Sequence, residues 1–183
     1  GDGAGEHPSQ ALLDLFTIHE AFGRIKGLHI GLCGDLKNSR TVHSLLRVLM
    51  TFGCNVSAVS PAELALPESF IREAKAYGGN LRAETDLGHV LPELDVLYMT
   101  RVQRERFSDL SLYERVRKHY ALTRSDLESA SPNLKILHPL PRVDEMEVEI
   151  DQDARAHYFI QAANGVPVRM ALLSKVLGLD QKT

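Results

Sequence analysis

Three polar clusters in the sequence each follow a short apolar run that is typical of a buried β-strand. The clusters are residues 34–41, 100–106 and 138–142. Arg40 and Arg101 place a guanidinium group in the first and second of them, and such a group binds a carboxylate or phosphate through paired hydrogen bonds. If the clusters meet in the fold, they predict a crevice that binds a small anion.

A simpler interpretation is that these charged side chains are solvated surface residues, which is usual for arginine. Gln103 lies two residues after Arg101, so an extended backbone would point both side chains to the same side. Arg40 lies where a helix is predicted to begin, and the unpaired backbone amides there favour an anion rather than a basic side chain. These details favour a binding site, but they leave the surface interpretation open.

Histidine and cysteine side chains give weaker indications. His7, which precedes Pro8, is equally consistent with a site residue and with a surface residue, and His138 with a site residue and a buried structural histidine. The other histidines and the two cysteines, Cys33 and Cys54, have no metal-ligand spacing. The alternatives for the two cysteines are a disulfide and buried free thiols in a reducing cytosol, and we expect the free thiols.

Strands alternating with helices must position the three clusters. Apolar runs predict strands at residues 28–33, 55–59, 81–84, 95–99 and 134–137, and periodic apolar residues predict helices at 8–23, 42–50 and 67–77. Near the C-terminus, Asn164 and Gly165 predict a break between a helix at 153–163 and a second helix that starts at Pro167. The alternation predicts an α/β fold of three layers, in which a mostly parallel sheet has helices on both faces.

Ligands bind beyond the carboxyl ends of the strands in such a sheet, which is where the three clusters lie. Gly31 and Gly34 stand at the end of the first strand, but they lack the G-x-G-x-x-G spacing of a dinucleotide site. We interpret both glycines as positions of close backbone packing.

Composition excludes several classes of protein. The 183 residues are 44% hydrophobic and 25% charged, with a net charge of −3, which is the balance of a globular protein. This charge offers no basic surface for nucleic acid or for an anionic membrane, and no apolar run reaches the length of a membrane span. We therefore expect one globular domain over residues 1–183, located in the cytoplasm.

The sequence resembles the aspartate carbamoyltransferases along its whole length. The similar segments are residues 7–14 (family pattern HP[ST]QxLLD), 34–45 (GDLKxxRTVHSL), 98–107 (YxxRxQxERF), 138–145 (HPLPRxxE) and 158–173 of the closing helix. The related enzymes that use ornithine typically carry HCLP where this chain has residues 138–141. A cationic side chain such as that of ornithine would also be poorly matched to Arg101.

The resemblance implies the C-terminal, aspartate-binding domain of an enzyme that makes N-carbamoyl-L-aspartate and phosphate from carbamoyl phosphate and L-aspartate in pyrimidine biosynthesis. It implies no metal or organic cofactor. It also implies that His7 is catalytic and polarises the carbamoyl oxygen. The residues that it assigns to carbamoyl phosphate are His7, Gln10, Leu140 and Pro141, those for aspartate are Arg40, Arg101 and Gln103, and the supporting residues are Thr41, Pro139, Arg142 and Arg169.

One feature of the family is absent from this sequence. The phosphate-binding motif SxRT, which the family carries in a preceding domain, does not occur, and neither does the loop whose lysine comes from a neighbouring subunit. We therefore expect a fragment that needs an N-terminal carbamoyl-phosphate domain and is inactive without it, with a homotrimer as the intact enzyme. Its terminal helices should present apolar faces to that domain. The alternatives are a non-catalytic dicarboxylate-binding or regulatory module, or a split enzyme whose other half is a separate chain.

Overall fold

Five parallel strands form the centre of the fold, in the order β3–β2–β1–β4–β5. A computed structural model describes residues 5–102, 104, 107 and 109–179, with the backbone alone of residues 112, 118 and 119. The strands are β1 (His29–Cys33), β2 (Asn55–Val59), β3 (Asn80–Glu84), β4 (Val96–Met99) and β5 (Lys135–Leu137). The predicted parallel sheet is confirmed, and every predicted strand agrees to within one residue at each end.

Helices cover both faces of this sheet. They are α1 (Pro8–Phe22), α2 (Arg40–Thr51), α3 (Glu68–Ala76), α4 (Leu87–Val90), α5 (Leu110–His119) and α6 (Tyr158–Val176). Successive residues of β4 contribute to two different hydrophobic clusters, because side chains alternate between the faces of a strand. Val96 and Tyr98 pack with α1, α2 and α3, whereas Leu97 and Met99 pack with α4 and α5. The three-layer prediction is confirmed, although α4 and α5 were not predicted from the sequence.

Two glycines allow close packing at the end of β1. A Cβ atom on Gly31 would lie 2.5 Å from a methyl group of Leu94, and one on Gly34 would lie 2.3 Å from the carbonyl oxygen of Thr100. Gly34 also has a φ of 117°, which side chains other than hydrogen rarely allow. The interpretation of both glycines as packing positions is confirmed.

The predicted break near the C-terminus is wrong. Residues 158–176 form one continuous helix with Pro167 inside it, and residues 148–152 form a separate 3₁₀ turn. An interior proline costs about 3 kcal/mol because it removes a backbone donor, so tertiary contacts must hold the helix together. Asn164 donates hydrogen bonds to Thr17 and Glu20 of α1, and α1 and α6 pack directly against each other.

The expected apolar faces are present on α1 and α6. Leu12 and Phe16 of α1 are 39% and 42% exposed, and Met170 and Leu173 of α6 are 65% and 63% exposed. Leu12 and Phe16, together with Pro167, Val168 and Leu172, border a shallow apolar depression of about 450 Å³. A face of this kind usually marks an interface.

Candidate active site

A cleft of about 630 Å³ opens at the carboxyl ends of β1, β4 and β5. Eight of the predicted site residues line it, and they are His7, Gln10, Arg40, Thr41, Arg101, Pro139, Leu140 and Pro141. Asp35, Asn38, Ser39, Thr100 and His138 complete the lining. The three polar clusters of the sequence therefore meet in one place, as predicted from the parallel sheet. Gln103, the remaining residue predicted to bind aspartate, lies outside the described residues.

The N-terminus of α2 faces this cleft. Ser39 caps the helix by accepting a hydrogen bond from the backbone N–H of Val42, and its hydroxyl lies 2.9 Å from that of Thr41. Arg40 is the first residue of the helix, so its guanidinium group adds to the positive end of the helix dipole. Asp35 accepts hydrogen bonds from the backbone and side chain of Asn38, which fixes the loop before the helix. This end of the cleft favours an anion.

His7 lies at the start of α1 and is held in place by α2. Its backbone N–H donates to the hydroxyl of Ser44 over 2.8 Å, and that hydroxyl and Arg47 both bind the carboxylate of Glu6. Burial lowers the pKa of the His7 imidazole below 6.5, and the positive charges of Arg40 and Arg169 lower it further. The imidazole is therefore neutral near pH 7 and has one ring N–H to donate to an oxygen in the cleft.

The turn at 139–141 is fixed from behind by His138, which is 2% exposed. The backbone N–H of Leu140 donates to Nδ1 of this imidazole over 2.9 Å, and Nε2 lies 2.7 Å from the Glu145 carboxylate. Because Nδ1 accepts a hydrogen bond, the ring proton is on Nε2, which faces the Glu145 carboxylate. The two interpretations of His138 are thus compatible, because it is a buried histidine that also positions the cleft.

Leu140 itself has an unusual backbone. Its φ is 43°, and the peptide bond to Pro141 is cis. Residues other than glycine rarely adopt a positive φ unless the surroundings impose it. Residues with such a backbone often lie in ligand sites. The turn is correspondingly well anchored, since His138, the residue before it, donates its backbone N–H to Oε1 of Gln161 in α6.

Arg142 and Arg169, two predicted supporting residues, do not line the cleft. The guanidinium group of Arg142 forms two 2.5 Å hydrogen bonds with Asp151 and lies over the ring of Tyr158. Arg169 donates to the carbonyl oxygen of Gly165, one turn earlier in α6. Arg142 is therefore an anchor for the chain after the turn, and Arg169 contributes positive charge near His7.

Two buried residues beside the cleft were not predicted as site residues from the sequence. Asp14 of α1 and Gln161 of α6 are 0% and 1% exposed, and Asp14 accepts a hydrogen bond from Gln10. Asp14 is the last residue of the family pattern HP[ST]QxLLD, but neither that pattern nor its place among leucines indicates what it contacts. Tertiary contacts alone identify it.

Further features of the described residues bear on the chemistry. Cys33 and Cys54 are both free and buried, as expected, and burial raises the pKa of the two thiols to about 12 and about 11. Within the described ranges, no cluster of three or more histidine, cysteine, aspartate or glutamate residues has the arrangement of a metal site. None of the helices in that part of the chain has both the length and the apolar character needed to cross a membrane.

Comparisons with known proteins agree with this geometry. Residues 26–176 match the family described as aspartate/ornithine carbamoyltransferase, Asp/Orn binding domain. The aspartate carbamoyltransferase catalytic subunit of Methanopyrus kandleri is 51% identical over 179 residues, which are 97% of this chain and 58% of the relative.

Solved structures give the same result. The catalytic subunit of M. jannaschii aspartate transcarbamoylase superposes with a TM-score of 0.90 at 43% identity, over 100% of this chain and 60% of that one. The Trypanosoma cruzi aspartate transcarbamoylase, solved with N-(phosphonacetyl)-L-aspartic acid, gives 0.86 at 38% identity, over 94% of this chain and 56% of that one. The chain thus spans somewhat less than two thirds of each of these three proteins.

Proposed function

This chain belongs to the aspartate and ornithine carbamoyltransferase family, and we propose that residues 1–183 form the aspartate-binding domain of an enzyme that transfers the carbamoyl group of carbamoyl phosphate to L-aspartate. The products are N-carbamoyl-L-aspartate, an intermediate of pyrimidine biosynthesis, and phosphate. The observation that carries this proposal is the convergence of His7, Gln10, Arg40, Arg101 and the 139–141 turn on one cleft.

The cleft suits the charge that the reaction develops. When the amine of aspartate attacks the carbamoyl carbon, the carbonyl oxygen gains negative charge, and donors already in place lower the barrier. The neutral imidazole of His7 supplies one such donor. Gln10, on the same helix as His7, and the backbone carbonyls of the 139–141 turn are suited to accept hydrogen bonds from the carbamoyl and amine nitrogens.

Aspartate fits the cleft better than ornithine. A second carboxylate can pair with a second guanidinium group, and we assign the α-carboxylate to Arg40 and the β-carboxylate to Arg101 and Gln103. The ammonium group of ornithine would instead meet positive charge from Arg101 and the N-terminus of α2, which is unfavourable in a partly buried site. The names of the relatives support the same choice, since all three that are compared above are named as aspartate enzymes.

We further propose that the 183-residue chain has no measurable carbamoyltransferase activity by itself, because it lacks the SxRT motif that the family uses to bind phosphate. Loss of a single donor to a developing charge costs about 10²–10³-fold in rate, and several such donors are missing together. The resemblance implies that a carbamoyl-phosphate domain completes the site and that the complete enzyme is a homotrimer. Turnover by the purified 183-residue chain would contradict its proposed inactivity. The mass of the complete enzyme, measured by light scattering, would test the homotrimer.

The test of substrate assignment uses a completed enzyme, in which this chain is joined to the part of the Methanopyrus kandleri relative that it does not cover. Arg40→Ala or Arg101→Ala removes a charged hydrogen-bonding partner, which is worth about 1.5–3 kcal/mol. We expect the KM for aspartate to rise at least about tenfold, since 1.4 kcal/mol is tenfold in affinity. The KM for carbamoyl phosphate should change much less.

Arg104→Ala provides a matched control, because Arg104 is an exposed arginine in the segment that follows β4 and does not line the cleft. Its kinetic constants should stay within about twofold of the parent, as expected for a surface change. Unchanged saturation by aspartate in Arg101→Ala would contradict the assignment. Faster reaction with ornithine than with aspartate would contradict the choice of substrate.

A further inference from the structure

A buried carboxylate lies directly behind the cleft, where α1, α6 and β4 meet. Asp14 is fully buried, and its Oδ1 accepts hydrogen bonds from Gln10 Nε2 over 2.8 Å and from Gln161 Nε2 over 2.6 Å. Its Oδ2 accepts one from the Tyr98 hydroxyl over 2.9 Å. Three donors on three elements thus converge on a group that does not itself line the cleft.

This arrangement determines which end of Gln10 faces the cleft. The two ends of a carboxamide have nearly the same shape, but one donates and the other accepts hydrogen bonds. An ionised carboxylate only accepts, so the nitrogen of Gln10 must point to Asp14 and its oxygen must point away. Gln10 lines the cleft, and no group in the described part of the chain donates a hydrogen bond to its Oε1.

Resting on the carbamoyltransferase function proposed above, we propose that Asp14 is a positioning residue: its ionised carboxylate holds the Gln10 carboxamide with its oxygen toward the cleft, as an acceptor for an N–H group of the carbamoyl substrate. The Asp14 carboxylate does not contact substrate and acts through Gln10.

The same carboxylate also orients the opposite wall of the cleft. Gln161 presents its nitrogen to Asp14, and its Oε1 accepts the backbone N–H of His138 over 2.8 Å. His138 in turn accepts the backbone N–H of Leu140. Asp14 therefore fixes the amide of Gln10 on one side and, through Gln161, the start of the 139–141 turn on the other.

Protonation of Asp14 would reverse this effect. A protonated carboxyl donates a hydrogen bond, which favours the oxygen of Gln10 as its partner and turns the amide nitrogen to the cleft. Burial raises the pKa of Asp14 to about 6, although the hydrogen bonds from Gln161, Gln10 and Tyr98 oppose the rise. The acceptor in the cleft is thus present above about pH 6 and is lost as the pH falls through that value.

Other titratable groups near Asp14 must be separated from it in any pH profile. Tyr98 faces it from β4, His138 is connected to it through Gln161 of α6, and His7 lies two turns earlier on α1. The pKa of Tyr98 is raised well above 10 by burial and by the charge of Asp14, so Tyr98 stays protonated. The pKa of His7 is lowered from 6.5, so His7 also titrates on the acidic side.

The experiment uses the completed enzyme described above and begins with Asp14→Asn. An asparagine has one accepting oxygen in place of two, so it cannot satisfy all three donors and no longer fixes Gln10. At pH 8 we expect the KM for carbamoyl phosphate to rise at least about tenfold, the effect of losing one hydrogen bond to a charged or reacting group. The KM for aspartate should change by less than about twofold. In a Gln10→Ala background, Asp14→Asn should cause a much smaller rise, because only its contact with Gln161 remains to act on the cleft.

Tyr98→Phe separates positioning from simple packing and from the titration of His7. It removes a donor from the same buried network but leaves the Oδ1 contact with Gln10 in place. At pH 8 its KM for carbamoyl phosphate should equal that of the parent. The lost hydrogen bond stabilised the ionised form of Asp14, so its removal should raise the pKa of Asp14. The acidic limb of the pH profile of kcat/KM for carbamoyl phosphate should therefore move to higher pH.

Three results would overturn the proposal. One is an unchanged KM for carbamoyl phosphate in Asp14→Asn when only the melting temperature falls. The second is an equal effect of Asp14→Asn with and without Gln10. The third is an acidic limb that Tyr98→Phe does not move.

If the parent enzyme used neither carbamoyl phosphate nor aspartate, the proposed function would fail instead. The side-chain amide NMR signals of Gln10 would still test the positioning, since they should titrate near pH 6 in the parent and not in Asp14→Asn.

Discussion

The buried pair of His138 and Glu145 offers a sharp test of how the cleft is supported. Their side chains are only 1% and 4% exposed, and His138 Nε2 lies 2.7 Å from Glu145 Oε1. The second carboxylate oxygen accepts the backbone N–H groups of Val143 and Asp144, each over 3.1 Å. The perturbation is Glu145→Gln, which keeps the shape of the side chain and removes its charge.

The glutamine must leave at least one donor unsatisfied. If its oxygen faces the two backbone N–H groups, its nitrogen faces His138 Nε2. The ring proton must then move to Nδ1, which can no longer accept the N–H of Leu140. If the glutamine turns over, its nitrogen faces two N–H donors. An unsatisfied buried donor costs about 1–3 kcal/mol, and a hydrogen bond to a charged group is worth about 1.5–3 kcal/mol. We expect the free energy of unfolding to fall by about 2–4 kcal/mol.

Urea denaturation at pH 7 and at lower pH measures this loss. Burial raises the pKa of Glu145, but the hydrogen bonds from His138 and from the backbone outweigh it, and the pKa is lowered. A carboxylate with a lowered pKa contributes stability above its unfolded pKa and loses that contribution as the pH falls through the folded one. The difference between parent and variant should therefore be largest near pH 7 and shrink below about pH 4, the ordinary pKa of glutamate.

Glu147→Gln is the matched control, since Glu147 is exposed and its carboxylate accepts a hydrogen bond from the backbone N–H of Arg124. Its effect should stay below about 1 kcal/mol. A loss of unfolding free energy below about 0.5 kcal/mol in Glu145→Gln would refute the reasoning that the buried pair supports the turn. So would a loss in Glu147→Gln as large as that in Glu145→Gln.

Three other predictions concern stability. Gly34→Ala should lower the free energy of unfolding by about 3 kcal/mol or more, because the new Cβ meets the Thr100 carbonyl at 2.3 Å. Gly78→Ala, at φ 70° with open space around it, should lower it by about 1 kcal/mol. Equal melting temperatures of the two variants would contradict this. The pKa of Asp14 is raised to about 6, so the folded protein binds an extra proton between about pH 4 and 6. As the pH rises through that window, the free energy of unfolding of the parent should fall by about 3 kcal/mol relative to that of Asp14→Asn. Parallel curves of stability against pH in urea denaturation would contradict this. Hydrogen exchange should be fast in the exposed second half of α6 and slow in β1 and β4, and uniform protection in a monomeric sample would argue that the apolar face needs no partner.

Much of the fold followed from the sequence, because apolar periodicity reports local structure. Val96 to Met99 is an uninterrupted apolar run, and such a run is typical of a strand buried on both faces. Parallel strands bring their carboxyl ends to one edge, so the polar residues that follow them had to meet. Arg40 and Arg101 were identified in this way, and the resemblance to a family added the roles of His7 and Gln10.

Tertiary structure alone decided the rest. Pro167 predicted a helix start, yet contacts of α6 with α1 keep the helix continuous through it. Arg142 follows the turn in sequence but turns away to Asp151. The environment of Asp14 depends on Tyr98 and on Gln161, which are 84 and 147 residues away along the chain. Local patterns carry no information about such partners, because a buried carboxylate is defined by the donors that the whole fold brings to it.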